Sequence, residues 1–244
     1  MRYRPRSLCL LAALATLAGP AALSAGEVKA VVELFTSQGC SSCPKADKLL
    51  GEYASDPRVV ALSLSVDYWD YLGWRDTLAL HAHSMRQKAY AHARGDRQVY
   101  TPQVVINGAD EVIGNDRWAI ERIVSGIDRK RKLVVPVSLK QGGNKLDVEV
   151  GAAAAPSGTI WIVGVTKKSP VAIERGENRG KTLTYHNVVR VWQPLAEWKG
   201  NAVRASVPVA ELAQAGADSA AVLVQSGTVE SPGPICGAAM IPLR

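Results

Sequence analysis

Residues 35–44 read Phe-Thr-Ser-Gln-Gly-Cys-Ser-Ser-Cys-Pro, which places two cysteines, Cys40 and Cys43, at the spacing Cys-x-x-Cys. The preceding residues 30–35 form an apolar run that is typical of a buried strand. The following residues 45–50 have the apolar spacing of a helix. A strand that leads directly into a Cys-x-x-Cys at a helix start is far more specific than the four-residue pattern alone.

This position gives the two cysteines a defined chemistry. Cys40 lies where unpaired backbone N–H groups and the helix dipole favour an anion, so its thiolate is stabilised and can attack disulfides. Pro44 suits the first helical turn, where its missing N–H has no partner to lose. The pattern predicts a redox-active disulfide with Cys40 as the nucleophile and Cys43 as the resolving thiol. A permanent structural disulfide is the alternative for the same pair.

The start of the chain predicts export. Residues 1–25 carry three arginines followed by an apolar run too short to span a bilayer comfortably, as in a secretory signal peptide. Without them the formal net charge falls from +7 to +4. The rest of the 244-residue chain is globular in composition. We expect a periplasmic or secreted protein with no stable membrane span, in a compartment where disulfides persist.

Two classes of function find little support. No basic stripe with interleaved aromatic residues remains after residue 25, so nucleic-acid binding is not expected. No second Cys-x-x-Cys completes a four-ligand zinc site. Copper can use two thiolates with a histidine, but His81 and His83 are two positions apart and do not share a helix face. A copper chaperone is therefore only an alternative, and no metal or cofactor beyond the disulfide is expected.

Residues 26–132 predict the element order β-α-β-α-β-β-α. The apolar runs suggest a parallel pair of strands followed by a hairpin that turns at Asn107-Gly108. Asp76 is expected to cap the second helix. The strands are predicted at 29–35, 58–66, 103–106 and 111–114, and the helices at 44–54, 76–93 and 115–132.

This order resembles the thioredoxin fold, with Cys-x-x-Cys after the first strand and Thr101-Pro102 opening the third. The resemblance implies that the peptide bond before Pro102 is cis and that its loop lies against the disulfide. It therefore adds Pro102 to the two cysteines as a site residue. The Ser-Ser dipeptide between the cysteines departs from the better-known thioredoxins and leaves the direction of electron flow undefined. Thioredoxins also carry a buried carboxylate near the resolving cysteine, and Asp67 is the candidate here.

A narrower resemblance covers nearly the whole chain after residue 25. Residues 33–44 and 65–70 are similar to the bacterial DUF1223 family, as are the later 176–180, 185–187 and Gly233-Pro234. Those proteins are exported, thioredoxin-like and of unassigned function. The resemblance implies a fold and names no substrate.

An aromatic and acidic loop, residues 67–74, follows the second predicted strand. It lies at the carboxyl end of a parallel strand, where ligands bind in open α/β sheets. We expect a substrate groove formed by Asp67, Tyr68, Trp69 and Thr101. The same rings equally fit packing at the domain edge, so a non-catalytic binding module is another alternative.

From Leu133 the pattern changes to short alternating runs separated by turn residues. These runs predict seven strands of a β-sandwich-like domain over residues 133–244. Short helical turns are expected at 195–199 and 209–215. The polar loop 177–180 is interpreted as a hairpin loop, with partner binding as the alternative.

Two reactive side chains of this region are interpreted as structural. His186 lies in an apolar strand, and Cys236 has no nearby partner, so it is expected to be a small buried residue. The chemistry therefore rests on the first domain. The predicted function is thiol:disulfide exchange on exported proteins or small thiols, with an unknown redox partner.

Overall fold

The structure, a computed structural model, describes residues 28–127 and 132–244. The predicted signal peptide therefore lies outside the described residues. None of the described helices is long and apolar enough to cross a membrane. In chain order the elements are β1 (Ala30–Thr36), α1 (Cys43–Tyr53), β2 (Val59–Ser65), α2 (His81–Arg94), β3 (Gln103–Ile106), β4 (Asp110–Ile113), α3 (Arg117–Ser125), β5 (Val137–Gly142), β6 (Lys145–Val150), β7 (Gly158–Ala172), β8 (Thr182–Trp198), β9 (Val203–Pro208), α4 (Val209–Gln214), β10 (Ser219–Gly227) and β11 (Pro232–Pro242).

The fold is mixed α/β and is built on a large sheet of eight strands and a second sheet of three. The large sheet has the order β11-β10-β7-β8-β2-β1-β3-β4, and the small one β5-β6-β9. The elements from β1 to α3 follow the predicted order. β1 and β2 are parallel, and β2 also pairs in parallel with β8 at Ser63 and Val188. The large sheet therefore continues across the predicted boundary after residue 132.

The hydrophobic core is shared between the two regions of the chain. On one face of the large sheet, α1 and α3 cover residues such as Leu34 and Ile106. On the other face, one cluster joins Phe35 and Tyr90 of the first region to Leu223 of the second. Because burial of apolar surface is the main favourable term in folding, these strands stabilise one another across the boundary.

The three-stranded sheet covers part of the large sheet in a sandwich-like arrangement. Residues of β6 alternate between exposed and buried, as expected for a strand with one face on a core. Its buried side chains, Leu146 and Val148, share a cluster with Trp198 and Val222 of the large sheet. This small sheet contributes no residue to the site around the cysteines.

Two predicted local elements are corrected. The helical turn predicted at 195–199 is wrong, because most of this segment belongs to β8 and pairs with β7, where Gly158 lies opposite Trp198. The helix predicted from residue 76 begins at His81. Asp76 does not cap it, because the N-cap of α2 is Leu80 and the Asp76 carboxylate accepts from the N–H groups of Gln38 and Leu78. By contrast, α4 forms in the segment predicted as a helical turn at 209–215.

A buried polar network ties α2 to the large sheet. Arg86 Nε donates a 2.7 Å hydrogen bond to Glu33, and the Tyr90 hydroxyl donates one of 2.6 Å to the same carboxylate. Arg86 also donates to Gln225 of β10 and lies 3.9 Å over the ring of Trp192 of β8. Glu33 itself is fully buried in β1. This network links strands from both regions to one helix.

Candidate functional site

The two cysteines of the Cys-x-x-Cys form a disulfide at the amino end of α1. Their Cα atoms are 5.4 Å apart, and the helix begins at Cys43 with Pro44 in its first turn, as predicted. Cys40 is 1% exposed and Cys43 is 0% exposed. The sulfur atoms therefore lie just beneath the surface rather than on it.

The segment before β3 lies against this disulfide. The Thr101–Pro102 peptide bond is cis, as expected. Cys40 Sγ is 3.7 Å from the Thr101 carbonyl oxygen and 3.3 Å from the Ser42 hydroxyl oxygen. The Pro102 carbonyl oxygen accepts a hydrogen bond from the Gly114 N–H, which fixes the loop to the end of β4. The structure thus brings Cys40, Thr101 and Pro102 together.

A groove of about 390 Å³ opens beside this contact. It includes Ser42 and Thr101, which both contact the Cys40 sulfur. Ile113 at one wall is 54% exposed, which leaves an apolar side chain in solvent next to the site. The groove therefore lies beside the buried Cys40, which is not itself one of its lining residues. Its lining residues are Ser42, Gln98, Tyr100, Thr101, Pro102, Ile113 and Asn115.

The aromatic loop supports the segment before Pro102. Trp69 Nε1 donates a 2.8 Å hydrogen bond to the Thr101 hydroxyl. The Tyr68 hydroxyl donates to Gln87 Oε1 at 3.1 Å, and Gln87 Nε2 donates to the Tyr100 carbonyl oxygen at 2.7 Å. Burial raises the pKa of Tyr68 to about 12, so this hydroxyl stays protonated. Both rings hold the loop that carries Thr101.

Asp67 follows β2 in the chain, and its side chain contacts the first turn of α2. Its carboxylate accepts a hydrogen bond from the Ser84 hydroxyl and lies 2.7 Å from His81 Nδ1. Burial raises the pKa of Asp67, but the bonds from Ser84 and His81 outweigh it and lower the pKa below its usual value. Asp67 is therefore an ionised carboxylate whose side-chain partners both belong to α2.

His81 and His83 of α2 point to different neighbours. His83 Nδ1 lies 2.9 Å from the Ser65 carbonyl oxygen, and burial lowers its pKa to about 4, so the ring is neutral. His81 instead faces Asp67. Over residues 28–127 and 132–244, no group of three or more His, Cys, Asp or Glu side chains is placed to hold a metal ion.

A buried carboxyl group that the sequence analysis did not predict lies on α1, the helix that begins at Cys43. Asp47 is on the buried face of α1, one helical turn beyond Cys43. Its Oδ1 accepts a 2.7 Å hydrogen bond from the Thr36 hydroxyl, and its buried Oδ2 has no partner among the described residues. Burial raises the pKa of Asp47 to about 8, and the charge of Asp76 adds to the rise. Asp47 therefore carries a proton at neutral pH.

Asp76 and Tyr185 complete a buried acidic cluster with Asp47. Asp76 accepts 2.8 Å hydrogen bonds from the N–H groups of Gln38 and Leu78. Burial raises the pKa of Asp76 to about 6, although these two bonds oppose the rise. Burial also raises the pKa of Tyr185 of β8, with the charges of Asp47 and Asp76 adding to it. The cluster combines side chains from both regions of the chain.

The turn between β7 and β8, residues 173–181, reaches the cysteines, and we name it the hairpin tip. Asn178 is fully buried, and its Nδ2 donates 2.9 Å hydrogen bonds to the carbonyl oxygens of Gln38 and Cys40. Glu177 Oε2 accepts a 3.0 Å hydrogen bond from the Ser41 N–H. The predicted hairpin loop is thus part of the site. No local sequence pattern predicts this, because the residues it contacts are 136 to 140 positions away in the chain.

His186 and Cys236 have structural surroundings. A Cβ atom added to Gly51 of α1 would lie 2.7 Å from His186 Cδ2, so the helix and the ring are in close contact. Cys236 is a buried free thiol whose Sγ donates to the Pro234 carbonyl oxygen at 3.6 Å. Burial raises the pKa of this thiol, which keeps it protonated.

Comparison with known proteins gives a family and a similar structure. Residues 31–225 match the family described as "Protein of unknown function (DUF1223)". The X-ray crystal structure of an Agrobacterium tumefaciens protein, a structural genomics target, is similar with a TM-score of 0.80 and 36% identity, over 88% of this chain and 95% of that one. A search of curated proteins found no match. Since the family match covers most of the sequence, the chain belongs to the DUF1223 family.

Proposed function

We propose that the protein is an exported, thioredoxin-like thiol:disulfide oxidoreductase of the periplasm or the extracellular space. The observation that carries this proposal is the contact of the Cys40 sulfur with Thr101 and Ser42, at the edge of an open groove. The order of elements from β1 to α3 and the loop at Pro102 support the thioredoxin-like assignment. The clients are exported proteins with dithiols or disulfides, or small thiols.

The exchange is a two-electron reaction through a mixed disulfide. A client thiolate attacks the Cys40 sulfur, the Cys40–Cys43 bond breaks, and Cys43 leaves as a thiolate. A second client thiolate then attacks the client sulfur, which forms the client disulfide and releases Cys40 as a thiolate. Two electrons have passed from the client to the protein. After this forward sequence, glutathione disulfide or a partner disulfide takes the two electrons and restores the protein disulfide. The reverse sequence reduces a client disulfide and leaves the protein oxidised, and glutathione or a partner dithiol protein then reduces it again.

Asp47 is the residue that fits the proton requirement of this cycle. The leaving Cys43 thiolate is buried, so a nearby proton donor lowers the cost of releasing it. Asp47 lies one turn away on the same helix face, and its raised pKa keeps the proton available. Asp67, the carboxylate expected from the sequence, is ionised and bonded to α2, so it suits this role less well.

A permanent structural disulfide in a non-catalytic binding module is the second candidate. The observation that favours it is the burial of both sulfur atoms. The bonds of Asn178 to the loop around Cys40 add to it, because a client needs access to the sulfur.

A redox titration in glutathione buffers distinguishes the two candidates. Thiols are counted by alkylation and mass, with Cys40→Ser as the control and Cys236 as the thiol present in every state. A reversible transition between about −120 and −270 mV is expected for an exchange catalyst. A disulfide that stays oxidised below about −300 mV would contradict the proposal and identify a structural disulfide.

A further inference from the structure

The carboxylate of Glu177 lies near the amino end of α1. Glu177 Oε2 accepts the hydrogen bond of the Ser41 N–H at 3.0 Å. Ser41 directly follows Cys40 in the chain and precedes Ser42, the N-cap of α1. Glu177 is exposed, but its neighbour Asn178 is fully buried and anchors the hairpin tip through two bonds to the Cys40 loop. The Ser41 bond and the buried, hydrogen-bonded Asn178 therefore hold the carboxylate beside the Cys40 loop.

This placement acts against the Cys40 thiolate. The N–H groups at a helix start are the donors that stabilise an anionic sulfur there. Glu177 instead accepts from the Ser41 N–H, one residue before the N-cap, and so places a negative charge on the residue that directly follows Cys40. A like charge disfavours the ionised form of its neighbour. The oxidised protein has no thiolate, so the carboxylate penalises the reduced state alone.

We propose that Glu177 is a positioning residue that shifts the Cys40–Cys43 equilibrium toward the disulfide, which makes the reduced protein a stronger reductant. The inference rests on the proposed thiol–disulfide exchange. The relevant step is the reaction of the protein disulfide with two glutathione thiols to give the protein dithiol and glutathione disulfide. Two electrons and two protons pass to the protein.

The first test compares the parent protein with Glu177→Gln in glutathione buffers at one fixed pH at which the Cys40 thiolate predominates in the reduced protein. Loss of the charge is expected to raise the ratio of dithiol to disulfide about two- to fivefold, the range for a charge at a helix end. That change corresponds to a potential higher by about 10 to 20 mV. Glu174→Gln is the matched control, because Glu174 lies in the same hairpin tip, is also exposed, and the substitution changes the charge by the same amount. This control is expected to leave the ratio unchanged.

The second test reads the thiolate without any exchange reaction. In a Cys43→Ser/Cys236→Ser background, the ultraviolet absorbance of the Cys40 thiolate is recorded across pH. Glu177→Gln is expected to raise the thiolate fraction about two- to fivefold at a pH where the thiol predominates. Equal thiolate fractions in both proteins would overturn the role of Glu177 while leaving the proposed exchange intact. A parent protein that does not titrate with glutathione would overturn the exchange, and the absorbance would still test Glu177.

Discussion

The side-chain amide of Asn178 donates a 2.9 Å hydrogen bond to the backbone carbonyl oxygen of Cys40, 138 positions earlier in the chain. The same nitrogen donates to the carbonyl oxygen of Gln38 at 2.9 Å. One buried side chain thus binds the two carbonyl groups that flank Gly39, and the Cys40 carbonyl oxygen also accepts from the Cys43 N–H. Since an intramolecular hydrogen bond contributes about 0.5–1.5 kcal/mol, these two bonds hold the hairpin tip against the disulfide.

Removal of this amide is expected to expose Cys40. In the reduced protein, Asn178→Ala should speed the alkylation of Cys40 by about tenfold. This factor corresponds to a decrease of roughly 1.4 kcal/mol in the free energy that keeps the hairpin tip closed over Cys40. The rate is measured with iodoacetamide and peptide mass spectrometry. Asn144→Ala is the matched control, because Asn144 is exposed in the β5–β6 turn. An unchanged rate for Asn178→Ala would show that the tip does not limit access.

Asp47 is expected to make the stability of the oxidised protein fall as the pH rises. Its folded pKa of about 8 lies above the ordinary value of 3.8, so the folded state keeps a proton that the unfolded state releases. This contribution is fully present below about pH 4 and is lost as the pH rises through about 8, with a slope of up to about 1.4 kcal/mol per pH unit. Asp47→Asn does not titrate. The variant should therefore gain stability relative to the parent protein between pH 5 and pH 8.

Urea denaturation at several pH values measures this difference. Asp76 and His83 titrate in both proteins, so the difference between the two curves reports the titration of Asp47 together with its coupling to Asp76. Asp56→Asn provides the control, because the hydrogen bonds from Arg58 lower the pKa of Asp56 and place its titration below this range. A difference that stays constant from pH 5 to pH 8 would show that Asp47 is ionised in the folded protein.

The buried pair of Glu33 and Arg86 is expected to be strongly destabilising when broken. Arg86→Met leaves the Glu33 carboxylate buried without its cation, so the free energy of unfolding should fall by about 3–5 kcal/mol. The double variant Glu33→Gln/Arg86→Met should cost less than the sum of the two single changes, because it leaves no unpaired charge. Urea denaturation of all four proteins gives the coupling.

An exposed pair serves as the comparison. Arg117 contacts Glu52 on the surface, where solvent screens the interaction, so Arg117→Met should change stability little.

The buried network also joins strands of both regions, so unfolding should be one transition. Additive costs at Glu33 and Arg86, or two separate transitions, would contradict this account.

Local patterns in the sequence predicted the local parts of the fold. The apolar run before Cys40 and the helical spacing after Cys43 placed β1 and α1 within a residue or two. The hairpin turn at Asn107-Gly108 formed as expected, with left-handed φ angles of 49° and 66° at the two residues. Such features depend on neighbours in the chain, which is why they can be read from it.

The remaining parts of the site depend on contacts between distant residues. Asp47 lies between Lys45 and Lys48, a polar context that predicts a surface carboxylate. In the fold it is buried against β1, where it accepts a hydrogen bond from Thr36. The pairing of Ser63 with Val188 has no local pattern either. One indication was present, because residues 59–65 are nearly all apolar, as in a strand with neighbours on both sides. The predicted order of elements did not indicate which strand would pair with the second edge of β2.

The join between β2 and β8 also sets an order of events during synthesis. The Asn187 side chain bonds the Ala61 carbonyl oxygen, a contact that spans 126 residues. A ribosome therefore completes β2, Cys40 and Cys43 well before it has made the strand and hairpin tip that cover them. Until then the growing chain presents an unpaired strand edge and two accessible thiols. The residues that cover the Cys40 loop are thus the last part of the site to be synthesised.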